Sequence, residues 1–310
     1  MKFDLIIIGA GPAGLTAAIF ARRFKLNTLV ISKDIGGTVN MADIIENYPA
    51  IKSITGRELA KLFYEHAKKY DVKIIEEFVL DIKNTGNEFE VITENNRFYS
   101  KAIIIATGER HRKLNLPKEE SLKGISYCAV CDAPLFKDKV VAVVGGGNTA
   151  VAYAKILSQH AKKIYLIHRR REFRADPIEI ESIKNDEKIE FVVPYIIKEL
   201  KGEEKISGVI LEEVDEKLMP TGKTIELKID GLFIAIGLEP NSELAAKIGV
   251  KLSESGHIIV DDDMKTNVKG VFAAGDVTDK GSKMRLIITA AAQGAIAAFG
   301  AFKYIKSGVW

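Results

Sequence analysis

Two distant segments of this chain are written in the same grammar, and that repetition restricts the fold more than any other feature. In the first, a continuous apolar run from Asp4 to Ile8 meets Gly9-x-Gly11-x-x-Gly14. Pro12 then sits in the first turn of an expected helix through Ala17, Ala18, Phe20 and Ala21, and a strand is expected over Asn27 to Ser32. In the second, Val140 to Val144 meets Gly145-x-Gly147-x-x-Ala150, followed by an expected helix to about Gln159 and a strand over Lys163 to Ile167. Each segment is a strand, a tight turn, a helix and a returning strand, with glycines where a dinucleotide pyrophosphate needs them. The first glycine turns the chain and the second admits the phosphates to the backbone. The third, or the alanine in its place, lets helix pack on strand. The free N–H groups at each helix start then face the phosphates. The expected fold class is α/β, with two Rossmann-like domains that bind FAD or NAD(P).

The rest of the chain fits around these units. Gly56 to Tyr70 reads as an amphipathic helix, and Val72 to Tyr99 as alternating strands with a turn at Asn84-Thr85-Gly86-Asn87. Ala102 to Gly108 reads as a buried strand ending in Ala106-Thr107-Gly108, and Gly231 to Ile236 as another ending in Gly237. Strands are expected within Lys188 to Leu211 and over Lys223 to Ile229, with Pro220-Thr221-Gly222 as the hairpin turn. A final apolar helix covers Leu286 to Phe302. Stretches at His111 to Pro117 and Leu238 to Ser242 read as hinges, so the second domain, 113–239, is inserted into a discontinuous first domain, 1–112 with 240–310.

Lys and Arg total 45 against 42 Asp and Glu, a net charge of +3 too slight and too evenly spread for nucleic acid or a membrane surface. The N-terminal apolar run breaks into Gly9-Ala10-Gly11-Pro12, so it reads as a buried strand and not as a signal peptide. No charge-free apolar tract reaches the roughly 18 residues of a membrane span. The expectation is a soluble, cytoplasmic protein.

In that setting the only two cysteines, Cys128 and Cys131, stand out, because a Cys-x-x-Cys pair in the cytoplasm cycles instead of stapling the chain. A zinc site is not expected. His111 is the one histidine within about twenty residues, and with two thiolates it falls short of four ligands. No metal is assigned.

Beyond their glycines the two turns differ. An acid about 20 residues on would hold ribose hydroxyls. After the first turn the chain reads Ile31-Ser32-Lys33-Asp34, which leaves Ser32 and Asp34 as alternatives and does not by itself name the ligand. After the second it reads His168-Arg169-Arg170-Arg171-Glu172-Phe173-Arg174. Guanidinium groups there suit a 2′-phosphate, which favours NADPH over NADH. A nicotinamide gives up hydride while a disulfide opens sulfur by sulfur, and a flavin commonly bridges the two. The first turn is therefore assigned to FAD. Asp276 stands at a strand end where it would meet the ribityl chain, with a helix cap or turn acid as the other reading, and the helix from about Leu286 would point its positive end at the flavin.

Seven motifs occur in one order: Gly9-Ala10-Gly11-Pro12-Ala13-Gly14, Glu46-Asn47-Tyr48-Pro49, Ala106-Thr107-Gly108, Cys128-Ala129-Val130-Cys131-Asp132, Gly145-Gly146-Gly147-Asn148-Thr149-Ala150, His168-Arg169-Arg170 with Phe173-Arg174-Ala175, and Gly275-Asp276. Over essentially its whole length the chain resembles the low-molecular-weight thioredoxin reductases. Ala50, Thr38 and Leu286 depart from the family's common pattern, which has Gly after the Pro of the second motif, Gln or Leu after Gly36-Gly37, and Gln after Arg285.

The resemblance implies FAD on Gly9, Gly11, Pro12, Ala13, Gly14, Ser32, Gly36, Gly37, Thr38, Asn47, Val79, Ala106, Thr107, Gly108, Gly275, Asp276, Arg285 and Leu286. It implies NADPH on Gly145, Gly147, Asn148, Thr149, His168, Arg169, Arg170, Arg174, Ile236 and Gly237. It also implies a homodimer and a thioredoxin or similar small dithiol protein as substrate. Electrons would pass from NADPH to FAD to Cys131, the flavin-facing sulfur, while Cys128 attacks the partner and Asp132 handles the proton, or else serves as a cap. The inserted domain is expected to rotate between the two half-reactions. Two alternatives remain open, a reductase of another dithiol carrier that feeds a peroxiredoxin and a nucleotide-binding redox sensor without turnover.

Overall fold

The computed structural model describes residues 1–42, 44–281, 285–308 and 310. They divide into two compact units, Met1–Arg110 with Glu239–Trp310, and His111–Leu238.

The first unit opens with β1 (Lys2–Ala10), α1 (Pro12–Arg23), β2 (Thr28–Ile35), α2 (Gly56–Lys69), β3 (Lys73–Glu76), β4 (Val79–Asn84), β5 (Phe89–Thr93), β6 (Arg97–Ile105) and β7 (Glu109–His111). The second unit carries β8 (Ile125–Ser126), α3 (Ala129–Asp132), β9 (Val140–Val144), α4 (Asn148–Ser158), β10 (Lys163–Ile167), α5 (Pro177–Lys184), β11 (Ile189–Val192), β12 (Tyr195–Gly202), β13 (Ile206–Val214), β14 (Pro220–Lys228) and β15 (Gly231–Ile234). The chain returns through β16 (Leu238–Pro240), α6 (Glu243–Lys247), β17 (Val271–Ala273) and α7 (Ile287–Ser307).

In the first unit the sheet runs β3-β2-β1-β6-β5-β4, with β17 beside the far half of β6. β1, β2, β3, β6 and β17 are parallel, and β4 and β5 extend the sheet antiparallel. Leu5, Ile6 and Ile7 of β1 and Ile103, Ile104 and Ile105 of β6 are fully buried, as strands covered on both faces require. Helix α7 packs on α1 through small residues: a Cβ on Gly294 would stand 2.1 Å from the Ala13 carbonyl oxygen. That approach draws the start of α1 against α7, which positions the first glycine turn.

The second unit repeats the winding. Its sheet runs β11-β10-β9-β15-β8, all parallel, and an antiparallel sheet of β12, β13 and β14 is added to it. Both units are thus doubly wound α/β folds of the Rossmann type.

One turn lies elsewhere than expected. Pro220, Thr221 and Gly222 belong to β14, and the chain reverses over Asp215 to Met219 instead. Asp215 Oδ1 accepts the N–H groups of Lys217 and Met219 at 2.9 Å each, and Leu218 takes a positive φ of 63°. The aspartate side chain closes the turn, a local bond that competes well with Pro-Gly chemistry. Among the described residues no helix is long and apolar enough to cross a membrane.

Candidate active site

The first glycine turn is the hub of its unit. A Cβ on Gly9, whose φ is +109°, would lie 2.2 Å from the Ala106 carbonyl oxygen, and one on Gly14 would lie 1.9 Å from that of Gly9. Only glycine fits either place. Around this turn the fold gathers Gly37, whose added Cβ would sit 3.6 Å from the Cα of Gly11, and Gly275, whose Cβ would sit 3.0 Å from that of Ala13. Pro12 occupies the first position of α1, where its missing N–H costs nothing, and no side chain caps the helix start. The free N–H groups there can receive an anion.

Two further stretches close around this turn. Thr107 Oγ1 donates to the Asn241 carbonyl at 2.6 Å while Asn241 Nδ2 donates to the Thr107 carbonyl at 2.9 Å, which fixes the end of β6 and Gly108. Gln293 of α7 accepts the Gly275 N–H at 2.8 Å and so holds the Gly275-Asp276 turn. Asp276 Oδ1 is buried without a hydrogen-bond partner among the described residues. Burial, and then the negative charge of Glu109, push the Asp276 carboxyl up to about 6. An acceptor sealed from water with no donor is a costly arrangement that a hydroxyl-bearing ligand would relieve. The residues around this turn therefore fit a flavin dinucleotide.

Other predicted residues have plainer settings. Ser32 is buried at the middle of β2 and Asp34 exposed beyond it, Thr38 and Asn47 are exposed, and Val79 is buried in β4 opposite Thr93. Arg285 engages Glu109, and Leu286 precedes α7 in an extended conformation as its N-cap residue.

In the second unit the glycine turn and the arginine segment meet directly. Arg174 and Ala175 donate their N–H groups to the Gly146 carbonyl at 2.7 and 3.1 Å. Asn148, the first residue of α4, accepts the Asp176 N–H at 2.8 Å through Oδ1 and donates to Asp176 Oδ2 at 2.9 Å through Nδ2. The His168 ring lies under the turn, since a Cβ on Gly146 would fall 2.2 Å from its Cε1. Burial, with the charges of Arg174, Arg169 and Arg170, holds His168 down at about 4, so its ring is neutral near pH 7. Its Nε2 is buried and unpartnered among the described residues. Arg169, Arg170, Arg171 and Arg174 are exposed, and among the described residues none pairs with a carboxylate. Open space surrounds Gly147, where an added Cβ meets nothing within 4 Å. These features fit a dinucleotide carrying an extra phosphate. Ile236 and Gly237 follow β15, and the Gly237 carbonyl accepts the Arg112 N–H at 3.0 Å.

Cys128 and Cys131 form a disulfide with Cα atoms 5.4 Å apart. Cys128 caps the one-turn helix α3, and its Sγ accepts the Cys131 N–H at 3.2 Å. Cys128 is 8% exposed, whereas Cys131 is exposed. Asp132 comes next, and its side chain caps nothing. The loop ahead of the pair is anchored by residues sequence reasoning did not single out. Tyr153 of α4 donates to the Tyr127 carbonyl at 2.7 Å, and Tyr127 donates its hydroxyl to the buried Glu119 at 2.5 Å. Nothing in the sequence marks Tyr153, Glu119, Asn241, Gln293 or Asp176, because each acts across a fold that only the topology assembles.

The family model for pyridine nucleotide-disulphide oxidoreductases matches residues 3–294. A thioredoxin reductase of Bacillus subtilis is 39% identical over 98% of this chain and 95% of its own. Among solved structures, a thioredoxin reductase of Lactococcus lactis superposes with a TM-score of 0.84 at 40% identity, covering 98% of this chain and 99% of that one. A thioredoxin reductase of T. acidophilum gives a TM-score of 0.80 at 36% identity, with 97% and 98% covered. The redox disulfide, the twin dinucleotide folds and these likenesses agree: the chain belongs to the pyridine nucleotide-disulphide oxidoreductases.

Proposed function

We propose that this chain is an NADPH-dependent flavoprotein disulfide reductase of the thioredoxin reductase type, with thioredoxin or a similar small dithiol protein as its substrate. One observation carries the reading. The Cys128–Cys131 disulfide shares a compact unit with a glycine turn onto which an arginine segment folds back, and among the described residues those guanidinium groups form no salt bridge.

In this reading the unit Met1–Arg110 with Glu239–Trp310 holds FAD, through the Gly9–Gly14 turn, Gly36, Gly37, Ala106–Gly108 and Asp276. The unit His111–Leu238 holds NADPH, through the Gly145–Asn148 turn, His168 and the guanidinium groups of Arg169, Arg170 and Arg174. Bound FAD supplies the exchange between a nicotinamide hydride and the electron pair that a disulfide takes up. The chain's own part is to hold and protonate sulfur. Opening the disulfide takes two electrons and two protons to give two thiols. The N–H of Cys131, aimed at Cys128 Sγ, favours the thiolate there, which supports Cys128 as the sulfur that attacks a partner. Cys131 then faces the flavin, and Asp132 beside it carries the proton.

The exposed Phe20, Ile288, Ile296 and Phe299, all on α1 and α7, support a homodimer formed through the first unit. A cycling cysteine pair with no other cysteine in the chain supports a cytoplasmic setting.

The test is steady-state oxidation of NADPH and NADH by the FAD-loaded protein, with thioredoxin as acceptor. The reading expects NADPH to be strongly preferred and Cys131→Ser to abolish disulfide turnover while NADPH still bleaches the flavin. Turnover with another dithiol carrier but not thioredoxin would reassign the partner. Absence of turnover with any disulfide would favour a sensor.

A further inference from the structure

Glu109 is the buried charge that the proposed chemistry leaves unused. It opens β7 directly after Ala106–Gly108, and only 1% of its side chain is exposed. Arg285, just ahead of α7, donates Nη2 to Glu109 Oε1 at 2.8 Å and its Nε to Oε2. On the other side His257 Nε2 lies 2.8 Å from Oε1, and since a carboxylate only accepts, the proton is on Nε2. Ser255 Oγ lies 2.8 Å from His257 Nδ1 and completes the string. Burial would raise the Glu109 carboxyl, but the bonds from Arg285 and His257 together outweigh it and hold it below the ordinary carboxylate range, so it is ionised. The partners come from positions 176 and 148 residues away, so the cluster ties the start of β7, the 253–258 loop and the entry to α7 into one point.

Asp276, the orphaned acceptor, lies within the field of this cluster, raised by Glu109 and lowered by Arg285 and His257. Here the buried Glu109 carboxylate is paired with a guanidinium whose side chain is 43% exposed. Burying a carboxylate costs free energy that an exposed guanidinium repays only in part, so the stability of the fold does not by itself account for Glu109.

We propose that Glu109 is a positioning residue for the flavin: clamped between Arg285 and His257, its carboxylate fixes the entry to α7 and balances the Arg285 charge beside Asp276. The inference rests on the assignment of FAD to this unit. Reduction adds electrons to the flavin, so a change in net charge at this cluster moves its midpoint potential with a defined sign. Removing the negative charge leaves Arg285 unbalanced and stabilises the reduced form. Removing the positive charge leaves Glu109 unbalanced and stabilises the oxidised form.

The test uses the FAD-loaded full chain and measures the midpoint potential by dye equilibration, with the FAD dissociation constant measured by flavin fluorescence on reconstituted apoprotein. Glu109→Gln is expected to shift the equilibrium toward reduced flavin about tenfold, which is about +30 mV for a two-electron couple, and Arg285→Gln to shift it the opposite way. Glu109→Asp, which keeps the charge, is expected to restore most of the wild-type value. A merely structural role would move FAD affinity and melting temperature for both variants without opposite shifts in potential. Potentials that do not move, or that move in the same direction for Glu109→Gln and Arg285→Gln, overturn the proposal. If Glu109→Gln does not fold, the sign of the Arg285→Gln shift alone decides, a shift downward supporting it and any other result overturning it. Wild-type chain that fails to bind FAD would instead overturn the cofactor assignment on which the inference stands.

Discussion

The main-chain N–H of Arg174 donates to the carbonyl of Gly146 at 2.7 Å, so the arginine segment is folded back onto the second glycine turn. Sequence proximity alone would leave those arginines on a solvated loop. The bond brings them to the place where a dinucleotide's ribose would lie after such a turn.

That bond sets an expectation for nucleotide choice. Arg169→Ala and Arg174→Ala each remove a guanidinium with no carboxylate partner, and a charged hydrogen bond to phosphate contributes about 1.5–3 kcal/mol. Each variant is expected to raise KM for NADPH about ten- to hundredfold while leaving KM for NADH within a few-fold. Steady-state kinetics with both nucleotides checks this, and an equal loss for both would remove the arginines from phosphate recognition.

Gly146→Ala should fail for a steric reason. Its Cβ would fall 2.2 Å from the buried His168 ring, which also packs against Phe173 at a centroid distance of 5.0 Å. Overpacking of this kind costs about 1–3 kcal/mol. A lower melting temperature together with weaker NADPH binding is expected, whereas Gly147→Ala, with open space around it, should melt close to wild type.

Asp276 predicts a pH dependence with a definite sign. Its folded-state value of about 6 lies above the ordinary aspartate value of 3.8, so between those two the folded apoprotein binds more protons than the unfolded chain. The Asp276 contribution to stability therefore falls as pH rises through that window, by about 3 kcal/mol as an upper bound. FAD, by giving the carboxylate a donor, should bind more tightly as pH rises through about 6 and Asp276 ionises. Asp276→Asn should flatten both trends. Urea unfolding of apoprotein and FAD titration from pH 4 to 8, each compared with the variant, decide the matter.

The parts legible in the sequence share one property, that the signal lies within a single unit of secondary structure. The glycine turns, the strands feeding them and the Cys128–Cys131 pair announce themselves because each needs particular residues at short spacing. What could not be read depends on long-range closure. Glu109 and His257 carry no pattern until β7, the 253–258 loop and α7 are folded together, the resemblance marks Arg285 without its partner, and the Asn148–Asp176 clamp is equally silent. The misplaced hairpin turn has a different cause. Pro220-Thr221-Gly222 carries strong turn chemistry, but Asp215 closes a turn five residues earlier and Pro220 pairs opposite Val214. One departure from the family pattern acquires a physical meaning: Ala50 sits at φ 74°, in the left-handed region that favours glycine.

Ala50→Gly is accordingly expected to stabilise the protein. Relief of the left-handed strain exceeds the added freedom of the unfolded chain, for a net gain of about 0.5–1 kcal/mol. Thermal unfolding of the FAD-loaded protein checks it, and a lower melting temperature would show that the backbone at Ala50 relaxes without strain.

Everything proposed for this chain turns on whether the Cys128–Cys131 disulfide stands in line with a flavin and is reduced through it. Anaerobic titration of the FAD-loaded protein with NADPH, read by flavin absorbance and by counting free thiols, tests this most directly. About two equivalents of NADPH should be taken up per flavin, with both thiols released, while Cys131→Ser should take up about one and release none. Full bleaching of the wild-type flavin by one equivalent, with the disulfide left intact, would contradict it.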